Sequence, residues 1–233
     1  MKSFWHIPLL SFCVSFSVNA GDIGKSQMPM SSVFKNNQNF EFVPPRPGTY
    51  KLPVIKRAQS GSVVDHKNKH FKLEDLLDGK ISILSFVYLS CSDKDGCPLV
   101  LSNFFELYHQ SALLPALKNK VQLITISFDP ERDTVEAINS FHYPISVDPD
   151  RSKKIKWTVL TTENHKSLKL MLDGYSQAIT RSQDSNVINH IIRIYLIDQT
   201  KKIRNIYGIG TLDPRLLITD VETLLLEEKT VNK

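Results

Sequence analysis

The sequence predicts an α/β fold, on three observations. Two apolar, β-prone runs, residues 81–88 and 121–128, are each followed by a stretch with helical spacing of apolar residues. Two further runs of this kind, 191–197 and 203–207, are separated only by a charged turn, which reads most simply as a hairpin. The chain then closes on a helix whose start is written in its residue types. Asp213 serves as N-cap, Pro214 takes the first position, and Leu216, Leu217, Val221, Leu224 and Leu225 recur at helical spacing.

In chain order, residues 1–20 carry a lysine, then an apolar stretch without acidic residues, then Val18-Asn19-Ala20 before Gly21. This is the pattern of a secretory signal cut after Ala20. An uncleaved membrane anchor is the alternative, although the apolar stretch is shorter than the roughly 20 residues a spanning helix needs. Residues 21–49 are polar and Pro-rich and read as an extended linker that spaces the domain or wraps its surface. Residues 50–229 form the folded domain, with 230–233 as a tail.

The domain opens with a β-hairpin extension, Val63-Val64 and Phe71-Lys72-Leu73 flanking a polar turn in which His66 and His70 are expected to be exposed. A strand at 81–88 leads through a loop to a helix at 98–109, with Pro98 at its first position. The strand at 121–128 leads to a helix capped by Asp133 or Thr134 and running through Phe141. A shorter strand at 157–160, a helix at 165–175, the 191–207 hairpin and the final helix complete the order. A β-α-β unit followed by a hairpin and a helix is the thioredoxin-like plan.

Composition bounds the function. Removing residues 1–20 takes the formal charge from +5 to +4, because Lys2 is lost, and the basic residues form no blocks, which argues against nucleic acid as a partner. Of three cysteines, Cys13 lies in the apolar stretch and is discarded with it; Cys91 and Cys97 remain. They bracket Ser92-Asp93-Lys94-Asp95-Gly96 at a strand-to-helix junction, where unpaired N–H groups draw a thiol's pKa from about 8.5 toward 7 or lower. Reactive or metal-binding thiols are one reading, and a plain disulfide in an oxidising compartment is the other.

Four segments carry a resemblance to the Sco/SenC family of thioredoxin-fold copper proteins associated with cytochrome c oxidase assembly, and the likeness runs over about 52–226. They are the loop ending in Cys97-Pro98; Ser127-Phe128-Asp129-Pro130-Glu131-Arg132-Asp133-Thr134; Trp157-Thr158-Val159-Leu160-Thr161; and the run from His190 to Asp198. The resemblance implies that Cys91, Cys97 and His190 are copper ligands. The donor types agree, since two soft thiolates suit Cu(I) and an added imidazole admits Cu(II). Taken alone, a histidine before an apolar strand is more often structural. The chain departs from the family in placing five residues between its cysteines where three are usual, and in having Asn189 where an acidic residue often precedes the histidine.

The resemblance implies a periplasmic copper-binding protein that delivers copper to, or helps assemble, a respiratory copper site. Its partner would be a respiratory oxidase subunit or another periplasmic copper or redox protein, with membrane contact only through that partner unless residues 1–20 stay attached. A thiol–disulfide oxidoreductase using Cys91 and Cys97 is the alternative. Against it, thioredoxin-type reductants place a cis-proline just before the strand predicted from Ile191, where this chain has Val187-Ile188-Asn189-His190. A peroxidase reading is weaker, because Tyr88-Leu89-Ser90 lacks the Pro and Thr arrangement around a peroxidatic cysteine. Asp93 and Asp95 read as turn residues. Asp129, Glu131, Arg132 and Asp133 read as a strand-end turn with an internal ion pair. Met28 and Met30 offer thioethers but read more simply as linker.

Overall fold

The computed structural model describes residues 28–35, 42–182 and 187–231. The expected export signal with Cys13, and most of the Pro-rich segment before residue 42, lie outside the described residues. Within them the strands are β1 (Lys56–Arg57), β2 (Ser62–Asp65), β3 (His70–Lys72), β4 (Ile81–Val87), β5 (Val121–Ser127), β6 (Lys156–Thr161), β7 (Ile179–Arg181), β8 (Ile188–His190), β9 (Ile194–Ile197) and β10 (Lys202–Tyr207). The helices are α1 (Leu73–Leu77), α2 (Cys97–Gln110), α3 (Val135–Ser146), α4 (His165–Tyr175) and α5 (Pro214–Val231). Eight strands form one sheet in the order β1-β10-β9-β4-β5-β6-β2-β3, with β4, β5 and β6 parallel and the other pairs antiparallel.

Every residue of β4 and β5 is buried, as expected of parallel strands covered on both faces. Polar groups of these strands bond within the core, except Gln122 Oε1, which has no partner among the described residues. Gln122 Nε2 donates to Leu76 O (2.6 Å) and Ser82 Oγ (2.9 Å), and Ser85 Oγ donates to Arg193 O (2.7 Å). Register places Ile83, Leu123 and Trp157 on one face and Phe86, Ile126 and Leu160 on the other. On the first face Trp157 meets Phe104, Phe105 and Tyr108 of α2 and Phe141 of α3. On the second, Phe86, Tyr175 of α4 and Tyr195 of β9 form an edge-to-face cluster. Asp213 caps α5 as read from sequence, its Oδ1 accepting from Arg215 N (2.8 Å).

Several expectations are corrected. The helix expected to stop at Phe141 continues to Ser146, because Pro144 falls in its last turn, where a missing N–H removes only one bond. The strand expected from Ile191 begins at Ile194. Ile191 O instead accepts from Gln177 Nε2 (2.6 Å), and residues 188–190 pair with β7 in a separate two-stranded sheet. Part of the Pro-rich segment lies on α5: Met30–Val33 form a 3-10 turn, Met30 N donates to Glu222 Oε2 (2.8 Å), and Phe34 is buried.

His70 is exposed as expected, bonded to Glu163 (2.5 Å), but His66 is half-buried. Its ring stacks on His142, with centroids 3.8 Å apart and planes 22° from parallel. Burial, then the nearby His66, lower the His142 imidazole from 6.5 to about 4, so it is held neutral. Below pH 6.5 an unfolded chain takes up a proton that the folded one refuses until about pH 4. Stability should therefore fall by up to about 3 kcal/mol across that window through His142 alone. Urea unfolding of the wild type and His142→Phe at pH 7 and pH 4.5 checks this. The expected result is a visibly shallower pH dependence in the variant, and parallel curves would refute it.

Candidate metal centre

β4 ends at Val87, at the carboxyl end of the parallel strands, and the chain turns at once. Cys91 N donates to Tyr88 O (3.3 Å), Asp95 N to the Asp93 carboxylate (3.1 Å) and Gly96 N to Asp93 O (2.9 Å). Asp93 thus serves the turn, as read. A Cβ at position 96 would sit 3.0 Å from Asp93 O and 3.2 Å from Cys91 Sγ, so glycine leaves room for that sulfur. α2 starts at Cys97 itself, which places Pro98 second and not first.

The loop is anchored from the neighbouring strand. Asp133 is buried, and its Oδ2 accepts from Leu89 N (3.0 Å) and Ser127 Oγ (2.5 Å), tying the approach to Cys91 to the end of β5. Sequence offered Asp133 as a cap for α3. That cap is Thr134, whose side chain accepts from Ala137 N, and Asp133 holds the cysteine loop.

His190 closes β8. Its Nδ1–H donates to Ile188 O (2.9 Å), which leaves Nε2 with its lone pair, 3.3 Å from Cys97 Sγ. The imidazole lies edge-to-face with Tyr88 (5.6 Å) and tilted against Phe128 (4.9 Å). The ligand atoms of Cys91, Cys97 and His190 all lie within 4.8 Å of one another. Bonds of about 2.0–2.3 Å to a shared ion bring donors to about 4 Å from each other, so closing on one requires movements of an ångström or less. The residues singled out in the sequence therefore converge.

The two thiols are unequal. Cys91 is half-exposed, whereas Cys97 is buried and accepts from Tyr88 N–H (3.5 Å). Burial pushes the Cys97 thiol well above its ordinary value, overriding the lowering expected at a helix N-terminus. Burial, then Cys91, also raises the Tyr88 phenol.

The hairpin that carries His190 is clamped. Asp129 is fully buried and takes an ion pair from Arg132 on one oxygen and from Arg181 of β7 on the other (3.0 Å). Arg132 pairing with a carboxylate was legible in sequence. The cross-link to Arg181, 52 residues away, carried no local signal. Glu131 is exposed and bonds His165 (2.6 Å), and Arg132 also lies over the Tyr88 ring.

The fold is thioredoxin-like, with two thiols and an imidazole at the loop end of its parallel strands. The sequence model of the SCO1/SenC family matches residues 58–226, and the chain belongs to this family. Among solved structures it is similar to a SCO1/SenC family lipoprotein from Bacillus anthracis, at 23% identity and TM-score 0.59, over 73% of this chain and 95% of that one. It is similar to Arabidopsis thaliana ScoI with copper bound, at 22% and 0.56, over 70% and 97%. A third likeness is to BsSco, described as a member of the Sco family of cytochrome c oxidase assembly proteins with a disulfide switch, at 19% and 0.58, over 75% and 98%. At these identities the structural likeness shows the fold. No protein of curated function matches the chain in sequence. Among the described residues no helix is long and apolar enough to cross a membrane.

Proposed function

We propose that the protein binds copper through Cys91, Cys97 and His190 and delivers it to, or helps assemble, a respiratory copper site such as that of cytochrome c oxidase. One observation carries this reading: two sulfurs and an imidazole nitrogen converge within 4.8 Å. Family membership supports it, as does the copper bound by the similar Arabidopsis ScoI. Two soft sulfurs suit Cu(I), and the imidazole adds a donor suited to Cu(II). Copper is the cargo, and the chain's own groups set how it is held. Ile188 O fixes the His190 tautomer, Asp133 steadies the cysteine loop, and Cys91, the more exposed sulfur, is where an acceptor's ligand approaches. The export pattern of residues 1–20 supports a periplasmic setting, with 50–229 as the working domain and an oxidase subunit or another periplasmic redox protein as recipient.

His190→Ala tests the division of labour. Reduced protein should keep Cu(I), while Cu(II) binding and its thiolate-to-copper absorption should drop severalfold or more. Equal Cu(II) spectra in variant and parent would make His190 a packing residue.

The alternative is a thiol–disulfide oxidoreductase, for which the proximity of Cys91 and Cys97 is the favouring observation. One feature weighs against it: His190 stands 3.3 Å over the Cys97 sulfur, where a metal ligand suits better than an exchange partner. Under oxidising conditions without copper the pair should nonetheless close to a disulfide. Thiol counting on aerobically isolated apo-protein should find no free thiols and restore two after dithiol treatment, with Cu(I) uptake following reduction. Two free thiols at the outset would remove the basis for redox control of loading.

A further inference from the structure

A cleft of about 540 Å3 opens at the end of the sheet opposite the cysteine loop. It forms where the parallel strands begin: Lys80 precedes β4, Lys118 lies shortly before β5, and Lys156 opens β6. Lys67, from the β2–β3 turn, and Arg151, just beyond α3, complete the rim. The length of β4 sets this cleft about 20 Å from the metal centre.

Its charge is not an average sample of the surface. Six cationic residues and one carboxylate, Asp65, line it, an excess equal to the formal +5 of the whole chain. The rest of the molecule is therefore balanced, and the positive charge is gathered here from positions far apart in sequence. Of the six cations only Lys154 has a carboxylate partner, Asp148 at 2.5 Å; the other five form no ion pair among the described residues. Asp65 Oδ1 is engaged by the backbone of its own turn, accepting from Lys67 N (2.8 Å) and Lys69 N (2.9 Å). Arg151 Nη1 donates to Ser146 O (3.0 Å), so the carbonyl end of α3 presents a guanidinium to the cleft. Partial burial, and then the like charge of Lys80, lower the Lys156 ammonium. Asp65 counters this only in part, and a bound anion relieves the remaining repulsion among the like charges.

The lining also holds polar groups with unmet capacity. Thr158 is 5% exposed and its Oγ1, a hydroxyl able to donate to an anion, has no hydrogen-bond partner. His142 Nδ1 also has none, but His142 Nε2–H donates to Trp157 O (3.3 Å), so Nδ1 is an acceptor that only a protonated ligand oxygen or water can meet. Buried polar groups are ordinarily bonded, so these point to a ligand or water. The volume falls within the range of small-molecule sites. A concave site of this size suits a compact ligand, whereas a membrane surface would be met by protruding cations on a flat or convex face.

We propose that this cleft binds a small multivalent oxyanion, of the diphosphate or polycarboxylate class, one per chain. The inference does not depend on the copper reading, and its probe carries no metal.

Calorimetric titration of the full chain with inorganic pyrophosphate, and separately with citrate, tests it, alongside co-sedimentation with phosphatidylglycerol vesicles. Saturable one-to-one binding of at least one of the two anions is expected. The Lys80→Gln/Lys156→Gln double variant should weaken it by about tenfold or more, the scale of losing charged hydrogen bonds. Lys51→Gln/Lys166→Gln removes the same charge from exposed positions elsewhere and should stay within about twofold of the parent. Matching thermal unfolding of the variants establishes that each is folded. No saturable binding of either anion overturns the proposal, as does an equal loss in both double variants, which would mean diffuse attraction. Binding to vesicles alone would make the face a membrane contact and overturn it too.

Discussion

Replacing Cys91 and Cys97 together with serine should take Cu(I) stoichiometry from one per chain to none, measured by anaerobic titration against a competing chelator. Both soft donors are lost, leaving His190 as one neutral nitrogen whose other ring N–H is committed to Ile188 O. Sulfur-rich metal sites are worth on the order of 10 kcal/mol, so the loss should exceed what a competing chelator can mask. The fold should survive. Cys97 Sγ accepts from Tyr88 N–H, and a serine oxygen can accept the same bond in the same buried place. Unchanged stoichiometry in a folded double variant would mean that copper binds elsewhere and would sink the proposed function. The single variants should differ, because Cys91 is the exposed donor and Cys97 the buried one. Cys91→Ser should raise the rate at which copper is lost to the chelator, while Cys97→Ser should perturb the packing around Tyr88 as well.

Much of the scaffold can be read from sequence because local rules and burial agree there. The runs that become β4 and β5 are apolar enough to be covered on both faces, and α5 announces itself through Asp213 and Pro214. The cysteine loop is legible because few sulfurs remain in the chain. What escapes is whatever depends on side chains meeting at long range. The hairpin bearing His190 is hidden because Ile191-Ile192-Arg193 have strand-like residues, yet Ile191 O is taken by Gln177 and Arg193 O by Ser85. His66 looks like a turn residue until His142 supplies a ring to stack on. Asp133 reads as a helix cap because Thr134 beside it has the same chemistry, and its bonds to Ser127 Oγ and to Leu89 N, 44 residues earlier, distinguish the two. The basic cleft escapes for the same reason. Lysines dispersed along the chain form no block, yet the parallel strands all begin at one end of the sheet and bring them together.

The Asp129 clamp has the second large expected effect, and it joins stability to the site. Asp129 has no exposed surface and receives Arg132 and Arg181, whose side chains are 32% and 38% exposed. Breaking a buried pair by removing one partner costs about 3–5 kcal/mol. Here the orphaned arginines can reach water, so Asp129→Ala should lose about 3 kcal/mol, at the lower end, read as a fall in the urea midpoint. The functional consequence follows from geometry. Arg181 lies on β7, which pairs with β8 through Ile179 opposite His190, so Asp129 fixes the strand pair that presents the imidazole. Releasing it should blur the placement of His190 while leaving Cys91 and Cys97 on β4 and α2, where Asp133 still holds their loop. Cu(II) thiolate absorption should therefore weaken in Asp129→Ala much more than Cu(I) retention. Arg181→Met, which keeps the Asp129–Arg132 pair, should reproduce the spectral change with a smaller loss of stability. If both variants keep the parent Cu(II) spectrum, His190 is positioned by Ile188 O and its aromatic neighbours alone, and the clamp serves the fold without serving the metal centre.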